Sequence, residues 1–169
     1  MLVVQDSMVL IHLASTAILR EACIMFGKVI IPPAVHDEVV GRGIERGHPD
    51  AFLVQNLENE RYIHVISVAD TELMEELAKY GLKGGELESV TLYLQEKADL
   101  IGSNDDKVRR LRLILNLNLV SSPEIIFTMA KKEAISKEKA IDCLLELRKV
   151  GWFSRDVIDL VVEEVRRSG

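Results

Sequence analysis

Short apolar segments alternate with longer amphipathic ones along the first 120 residues. The short segments are rich in branched apolar side chains, which is typical of buried strands, and they cover 2–6, 28–31, 62–66, 99–102 and 117–120. Apolar positions at helical spacing predict helices at 8–14, 16–26, 34–40, 49–59, 69–80, 86–97 and 105–115. Gly41, Gly43 and Gly47 are expected in one loop and residues 81–85 in another.

Strands that alternate with helices favour a parallel sheet covered on both faces. Short connections with right-handed crossovers narrow this architecture to an α/β fold, a three-layer α/β/α sandwich with a short central parallel sheet. Everything after Ser122 predicts helix, at 123–133, 136–150 and 154–167. We therefore expect one domain over 1–169, with an α/β core at 1–120 and extra C-terminal helices at 121–169 packed on it.

The composition predicts a globular protein without a membrane-spanning segment. Hydrophobic residues make up 48% and charged residues 28%, which is typical of a packed globular protein. The apolar N-terminus lacks a basic start and is interrupted by Asp6 and His12, so no membrane segment is expected and the protein is expected in the cytoplasm. Cys23 and Cys143 have no paired spacing and are expected to be buried.

The net charge of −6 argues against a protein that simply coats nucleic acid, which would usually be basic. An enzyme that acts on nucleic acid remains compatible with this charge. A site that gathers carboxylates around a divalent cation is itself acidic, and the cation then supplies the positive charge that a phosphate needs.

Four acidic residues fall where predicted strands end or the following helices lie. Asp6 closes the first strand, Asp105 follows the fourth, Glu86 opens a helix, and Glu38 lies in the helix after the second strand. Ligands of open parallel sheets bind beyond the carboxyl ends of the strands, so these acids could converge there. Crowded carboxylates repel one another unless a cation binds them, and oxygen ligands favour Mg²⁺ or Mn²⁺ over zinc. Each acid alone is also explained as a helix cap, a dipole partner or a solvated residue.

The acids lie in four ordered motifs, namely 3–11 (VVQDSMVLI), 31–40 (IPPAVHDEVV), 85–90 (GELESV) and 98–106 (ADLIGSNDD). This ordered set resembles the PIN-domain family of metal-dependent ribonucleases, which includes the VapC toxins of toxin–antitoxin pairs. The third motif is similar to the branch with a Gly-Glu-x-Glu helix start. The resemblance covers residues 1 to about 120, and the C-terminal helices look like those of the same branch.

The resemblance implies an endoribonuclease with Asp6, Glu38, Glu86 and Asp105 as catalytic residues. Asp6, Glu86 and Asp105, with Glu38 less firmly, would hold one or two Mg²⁺ or Mn²⁺ ions. It also implies an RNA substrate, a possible antitoxin partner and a homodimer. This sequence departs from the family's usual ligand residues in two places. Glu88, Asn104 and Asp106 are therefore further ligand candidates. Asn104 stands where related sequences often have an acid, and Glu88 competes with Glu86.

Candidate substrate contacts lie beside these acids. Ser7 and Ser103 are candidates for hydrogen-bonding a water or a phosphate. One or two of Lys107, Arg109 and Arg110 are candidates for contacting RNA phosphates. The alternative is a solvated helix face with Arg109 paired to Asp105 or Asp106. Trp152 and Phe153 are expected to anchor the last helix hairpin rather than to stack bases.

Two other functions compete with the nuclease. The first is a non-catalytic module of the same fold that binds RNA or a protein, its metal site degraded at Asn104. The second is a phosphoryl-transfer or receiver-like domain that uses Asp6. The phosphatase form of this second class expects an acid at position 8, where this chain has Met8.

Overall fold

A five-stranded, all-parallel sheet forms the centre of the computed structural model, which describes residues 1–150 and 153–168. The strands are β1 (Leu2–Gln5), β2 (Lys28–Ile31), β3 (Ile63–Val65), β4 (Leu100–Gly102) and β5 (Leu119–Val120), in the order β3-β2-β1-β4-β5. Val4 of β1 pairs with Ile30 on one side and Ile101 on the other, so β1 is the central strand. The predicted parallel sheet and the α/β/α fold class are confirmed.

Helices connect the strands and close the described chain. Their bounds are α1 Ser7–Ser15, α2 Leu19–Phe26, α3 Pro33–His36, α4 Arg42–Glu45, α5 Pro49–Asn59, α6 Thr71–Ala78, α7 Gly84–Gln95, α8 Asp106–Leu111, α9 Ser122–Lys131, α10 Lys137–Val150 and α11 Arg155–Arg167. Across 1–150 and 153–168, no helix combines the length and the apolar character needed to cross a bilayer.

The alternation of side chains along β1 divides the core between the two faces of the sheet. Val3 belongs to a large apolar cluster with α1, α2, α5 and the C-terminal helices, whereas Val4 belongs to a second cluster with α7 and α8. Leu144 of α10 and Ile158 of α11 are fully buried in the same cluster as Val3. The C-terminal helices therefore share a core with the α/β part.

The predicted loop at Gly41 and Gly43 is wrong. After α3 the chain continues through one wide π-helical turn, Asp37–Gly41, directly into α4. A Cβ atom on Gly43 would lie 2.6 Å from the Cβ of Ala51, so this glycine lets α4 and α5 approach closely. Gly47 alone of the three predicted loop glycines lies in a turn, with a φ of +71°.

Predicted helix bounds also change, at α2, α7 and α8 among others. Helix α2 begins at Leu19 rather than 16, because Ala17 turns the chain with a φ of +55°. Helix α7 begins at Gly84, so the two glycines form its first turn instead of a preceding loop. Helix α8 ends at Leu111 rather than 115, since Asn116 has a φ of +52° and the chain reverses towards β5.

Candidate active site

The direction in which successive strands are added to the sheet reverses at β1. Strands β2 and β3 lie on one side of β1, and β4 and β5 lie on the other. Gln5 pairs with Gly102 at the carboxyl ends of these two strands, and the Asp6 N–H donates to the Gly102 carbonyl at 3.0 Å. Asp6 and the segment 103–105 therefore leave the sheet side by side. Such a reversal point is where open α/β sheets bind their ligands.

Asp6 is buried, with 7% of its surface exposed, and caps the N-terminus of α1. Its Oδ1 accepts from the Val9 N–H at 2.9 Å, and the Ser103 hydroxyl and the Asn104 backbone N–H also donate to its carboxylate. Burial nevertheless raises the pKa of Asp6 to about 6, and the nearby Asp105 carboxylate adds to the rise. A cation bound here would stabilise the ionised form.

Glu38 reaches the same edge of the sheet from the π-helical turn. The Ser7 hydroxyl donates to Glu38 Oε2 at 2.6 Å, which ties this acid to the residue next to Asp6. A Cβ atom on Gly85 would lie 3.3 Å from Glu38 Oε2 and 3.6 Å from Ser7 Oγ. Because Gly85 lacks this atom, the first turn of α7 closes onto Glu38.

Glu86, in that first turn, contacts a lysine. Its Oε1 accepts from Lys107 Nζ at 2.7 Å and from the Lys83 backbone N–H at 3.0 Å. The hydrogen bond to Glu86 raises the pKa of Lys107, and the charge of Asp105 contributes to the same shift. A lysine ammonium therefore lies between two of the predicted metal ligands.

Asp105 caps α8. Its Oδ1 accepts from the backbone N–H groups of Lys107 at 2.7 Å and Val108 at 3.1 Å, while its own N–H donates to Ser103 Oγ at 3.2 Å. Ser103 thus touches both Asp6 and Asp105. The capping explanation of Asp6 and Asp105 holds, and it fixes both carboxylates at the edge of the sheet.

The three further ligand candidates, Glu88, Asn104 and Asp106, have other partners. Glu88 Oε2 accepts from the Ala34 N–H at 2.9 Å and so caps α3. Asp106 is exposed and pairs with Arg109 at 3.3 Å. Asn104 exchanges two hydrogen bonds with Ser122, through Oδ1 at 2.9 Å and Nδ2 at 2.8 Å, and thereby links the end of β4 to α9.

A buried polar network beneath the site was missed by the sequence analysis. His12 Nδ1 lies 3.0 Å from Ser122 Oγ and 3.2 Å from Asn104 Nδ2. Burial lowers the pKa of His12 to about 4, so the ring is neutral near pH 7. His12 and Ser122 are 110 residues apart, and no spacing in the sequence signals their contact.

The donor atoms suit Mg²⁺ or Mn²⁺, although they form a connected series rather than a compact cluster. Within the described ranges, no three Asp, Glu, His or Cys side chains come close enough to hold a metal ion as a group. Contacts instead join the four acids in sequence, from Glu38 through Ser7 to Asp6, then through Ser103 to Asp105, and through Lys107 to Glu86. Buried and half-buried carboxylate oxygens are the ligands that these cations prefer, so the residues fit such an ion by chemistry.

Other sequence predictions can be placed around the site. Phe153 is half-buried, its ring centre 5.7 Å from that of His12, whereas Trp152 lies outside the described residues. His36 bonds Glu58 at 3.0 Å and does not join the acids. Cys23 and Cys143 are buried, as predicted, and burial raises the pKa of Cys23 to about 12.

Comparison with known protein families matched residues 2–167 to one family model, DUF3368, described as a PIN domain. No curated protein and no solved structure gave a significant match. The matched range includes the C-terminal helices α9, α10 and α11 as well as the α/β part.

Proposed function

We propose that this chain, which belongs to the PIN-domain family, is a metal-dependent endoribonuclease. PIN domains are typically nucleases, they generally use divalent metals, and the family implies binding of RNA. The metal dependence and the endonucleolytic cleavage of RNA are our inference for this chain.

One observation carries the proposal most directly. Asp6 holds a buried carboxyl at the reversal point of the sheet, with a pKa raised to about 6, and Asp105 lies beside it. Burying a carboxylate next to another one is unfavourable without a compensating cation. A buried carboxyl with a raised pKa beside a second carboxylate is a feature of functional sites, and here it coincides with the capping of α1 and α8.

The position of each residue indicates its role in the proposed reaction. Asp6 and Asp105 would hold the ion, and Glu38 and Glu86 would complete the acidic rim from either side. A bound Mg²⁺ or Mn²⁺ supplies positive charge for the phosphate and lowers the pKa of water. Ser7 orients Glu38, and Ser103 orients Asp6 and Asp105 through their hydrogen bonds. Lys107, Arg109 and Arg110 are the candidates for contacting RNA phosphates.

The proposal is tested by a nuclease assay on mixed-sequence RNA with Mn²⁺, Mg²⁺ or EDTA. We expect Mn²⁺-dependent cleavage by the wild type that is lost, by a factor of about 100 or more, in Asp6→Asn and Asp105→Asn. Asp142→Asn, which changes an exposed carboxylate of α10, is the matched control and should keep full activity. Cleavage that survives EDTA or both site variants would refute the mechanism.

The non-catalytic module remains the second candidate, because a specific contact favours it. Lys107 already pairs with Glu86, and the described residues hold no compact group of three ligands. A chain that binds RNA but shows no Mn²⁺ affinity would identify this module. Mn²⁺ binding that disappears in Asp6→Asn would identify the enzyme instead.

We further propose that the protein is the toxin of a toxin–antitoxin pair and that it acts in the cytoplasm as a homodimer. The resemblance of its motifs to those of the VapC toxins supports this role. Induced expression should then arrest growth, and Asp6→Asn should abolish the arrest. Sedimentation of the purified chain tests the dimer. Normal growth at high expression of an active enzyme would exclude the toxin role.

A further inference from the structure

A groove of about 910 Å³ opens beside Asp105 of the candidate active site. Ser103, Asp105 and Lys107 line it, together with residues of α1, α8, α9 and α11. This volume falls in the range of sites that bind ligands of nucleotide size. Its lining combines basic and apolar residues.

Basic residues of the α8 segment line the groove beside the acids Asp105 and Asp106. Lys107, Arg109, Arg110 and Arg112 all line it from α8 and the residue after it, in a chain whose net charge is −6. Lys107 and Arg109 pair with Glu86 and Asp106, respectively. Arg110 and Arg112 are exposed and form no ion pair with any described residue. These two guanidinium groups are therefore available for an anionic ligand.

Apolar residues also line the groove. Val157, Leu160 and Val161 of α11 line it, together with Phe153 just before that helix. Ile158, Val162 and Val165 fill the core, and Phe153 and Val161 pack against the same cluster. Among the described residues of α11, Val157 and Leu160 are the apolar side chains that stay exposed. Val157 is 45% exposed and Leu160 is 64% exposed. Exposed apolar surface of this kind marks a binding site more often than an isolated residue does.

We propose that this groove is a subsite for a nucleotide of single-stranded RNA flanking the cleaved bond, an inference that rests on the proposed nuclease function. Phosphates contact Arg110 and Arg112, while the base packs against Val157 and Leu160. The groove shares Asp105 and Lys107 with the candidate active site, so one RNA strand can occupy both continuously. A base paired in a duplex is stacked and cannot reach such a wall, so the subsite selects unpaired RNA.

The first test measures the binding of a fluorescein-labelled, mixed-sequence single-stranded RNA by fluorescence anisotropy. Ca²⁺ replaces Mg²⁺ and Mn²⁺ in the buffer, so that binding is measured without cleavage. The variant Val157→Asn/Leu160→Asn should bind about fivefold or more weakly, with an unchanged salt dependence, because only the base contact is lost. Ile24→Asn is the matched control, since Ile24 is 60% exposed on α2 and does not line the groove. Equal affinity of the variant, the control and the wild type would overturn the proposal.

The basic wall is tested by the salt dependence of the same binding. Arg110→Ala/Arg112→Ala should reduce the slope of log Kd against log salt by about 1.4, since each phosphate contact on a single strand contributes about 0.7. Arg61→Ala is the control, because Arg61 directly precedes β3, the edge strand on the side of the sheet away from β4 and β5. An unchanged slope would remove both arginines from the RNA-binding surface.

RNAs that carry one abasic ribose at successive positions test the base contact itself. In the wild type, one position flanking the cleaved bond should lose affinity when its base is removed. In Val157→Asn/Leu160→Asn the same abasic site should not lower the RNA affinity further, because the apolar side chains that contact this base have already been removed. Equal loss in both proteins would overturn the subsite.

Two results would show that the groove has another role or that the chain does not act on RNA. If Val157→Asn/Leu160→Asn turns a dimer into a monomer and leaves RNA affinity unchanged, the apolar wall binds a second copy and the proposal fails. If the wild type neither binds nor cleaves RNA with any metal, the proposed function fails with it. Metal-dependent cleavage with unaltered binding in the variants rejects the subsite alone.

Discussion

At the scale of single residues, the carboxyl of Asp6 is held in a position that disfavours its charge. Three donors surround it, yet burial outweighs them and raises its pKa to about 6. In the unfolded chain this carboxyl has the ordinary aspartate pKa of 3.8. The folded state therefore binds the proton more tightly than the unfolded state, and folding loses stability as the pH rises from about 4 to 6.

Asp6→Asn should for this reason stabilise the protein in EDTA at pH 7.5, by about 1–3 kcal/mol. The gain should grow between pH 4 and 6 and nearly vanish below pH 4, where Asp6 is protonated in both states. Urea unfolding across this pH range measures it, with Asp142→Asn as the control. Added Mn²⁺ should stabilise the wild type only. A variant destabilised equally at every pH would contradict the burial argument.

Lys107 is the second residue whose charge affects the site. Its ammonium contacts Glu86 Oε1 at 2.7 Å and thereby offsets negative charge at the acidic rim. A divalent ion must compete with this ammonium for Glu86 or bind without it.

Replacing Lys107 by Met should therefore tighten Mn²⁺ binding about threefold, because a competing positive charge is removed while the length of the side chain is kept. Electron paramagnetic resonance of free Mn²⁺ during a titration measures this affinity. Lys97→Met, which changes an exposed lysine after the far end of α7, should have no effect. Weaker binding in Lys107→Met would mean that the lysine helps to organise the ligands.

At the scale of elements, the connection from β2 to β3 depends on an unbroken but irregular helical path. The π-helical turn Asp37–Gly41 contains Glu38 and joins α3 to α4, and α4 then packs on α5 through Gly43. The position of Glu38 at the site therefore depends on the packing of two helices that lie outside it. Wide helical turns of this kind are frequent at functional sites.

Gly43→Ala should destabilise the fold by about 1–3 kcal/mol, since the new Cβ would lie 2.6 Å from the Cβ of Ala51. Urea denaturation measures this loss. Ala51→Gly in the same chain should restore part of the stability by making room. Gly41→Ala is the control, because its Cβ would meet only the movable Asp37 carboxylate, at 3.0 Å. If both alanine variants lose the same stability, close helix packing is not the reason for Gly43.

At the scale of the whole molecule, the C-terminal helices complete the core on one face of the sheet and contribute residues to the proposed RNA groove. Their buried residues belong to the same apolar cluster as Val3 of the central strand. The family match over 2–167 also includes them. We therefore expect the chain to unfold as one unit.

Leu144→Ala should lower the stability of the entire chain by about 2–5 kcal/mol, because Leu144 is fully buried between α10 and the rest of the core. Far-UV and near-UV circular dichroism should follow one coincident unfolding transition. Leu113→Ala, at a position that is 91% exposed, should change little. Two separate transitions, of which Leu144→Ala shifts only one, would identify the C-terminal helices as an independent domain.

Much of the fold could be predicted because it depends on local pattern. Runs of branched apolar residues predicted all five strands, and the order of the acidic motifs identified the PIN-domain family, which the family match confirms. The VapC-like branch stays a prediction. The wrong loop at Gly41 and Gly43 has a physical reason, since a glycine that permits close helix packing has the same sequence signal as one that permits a turn.

The sequence by itself determined the strands, the parallel α/β class and the acids at the strand ends, because each follows from side-chain periodicity or from position along the chain. Only the tertiary structure decided how those acids are used. Lys107 contacts Glu86, Glu88 caps α3, and Asn104 bonds Ser122 across 18 residues. Such partners are set by the packing of distant segments, and the free energy of a buried charge depends on those partners rather than on its own position in the sequence.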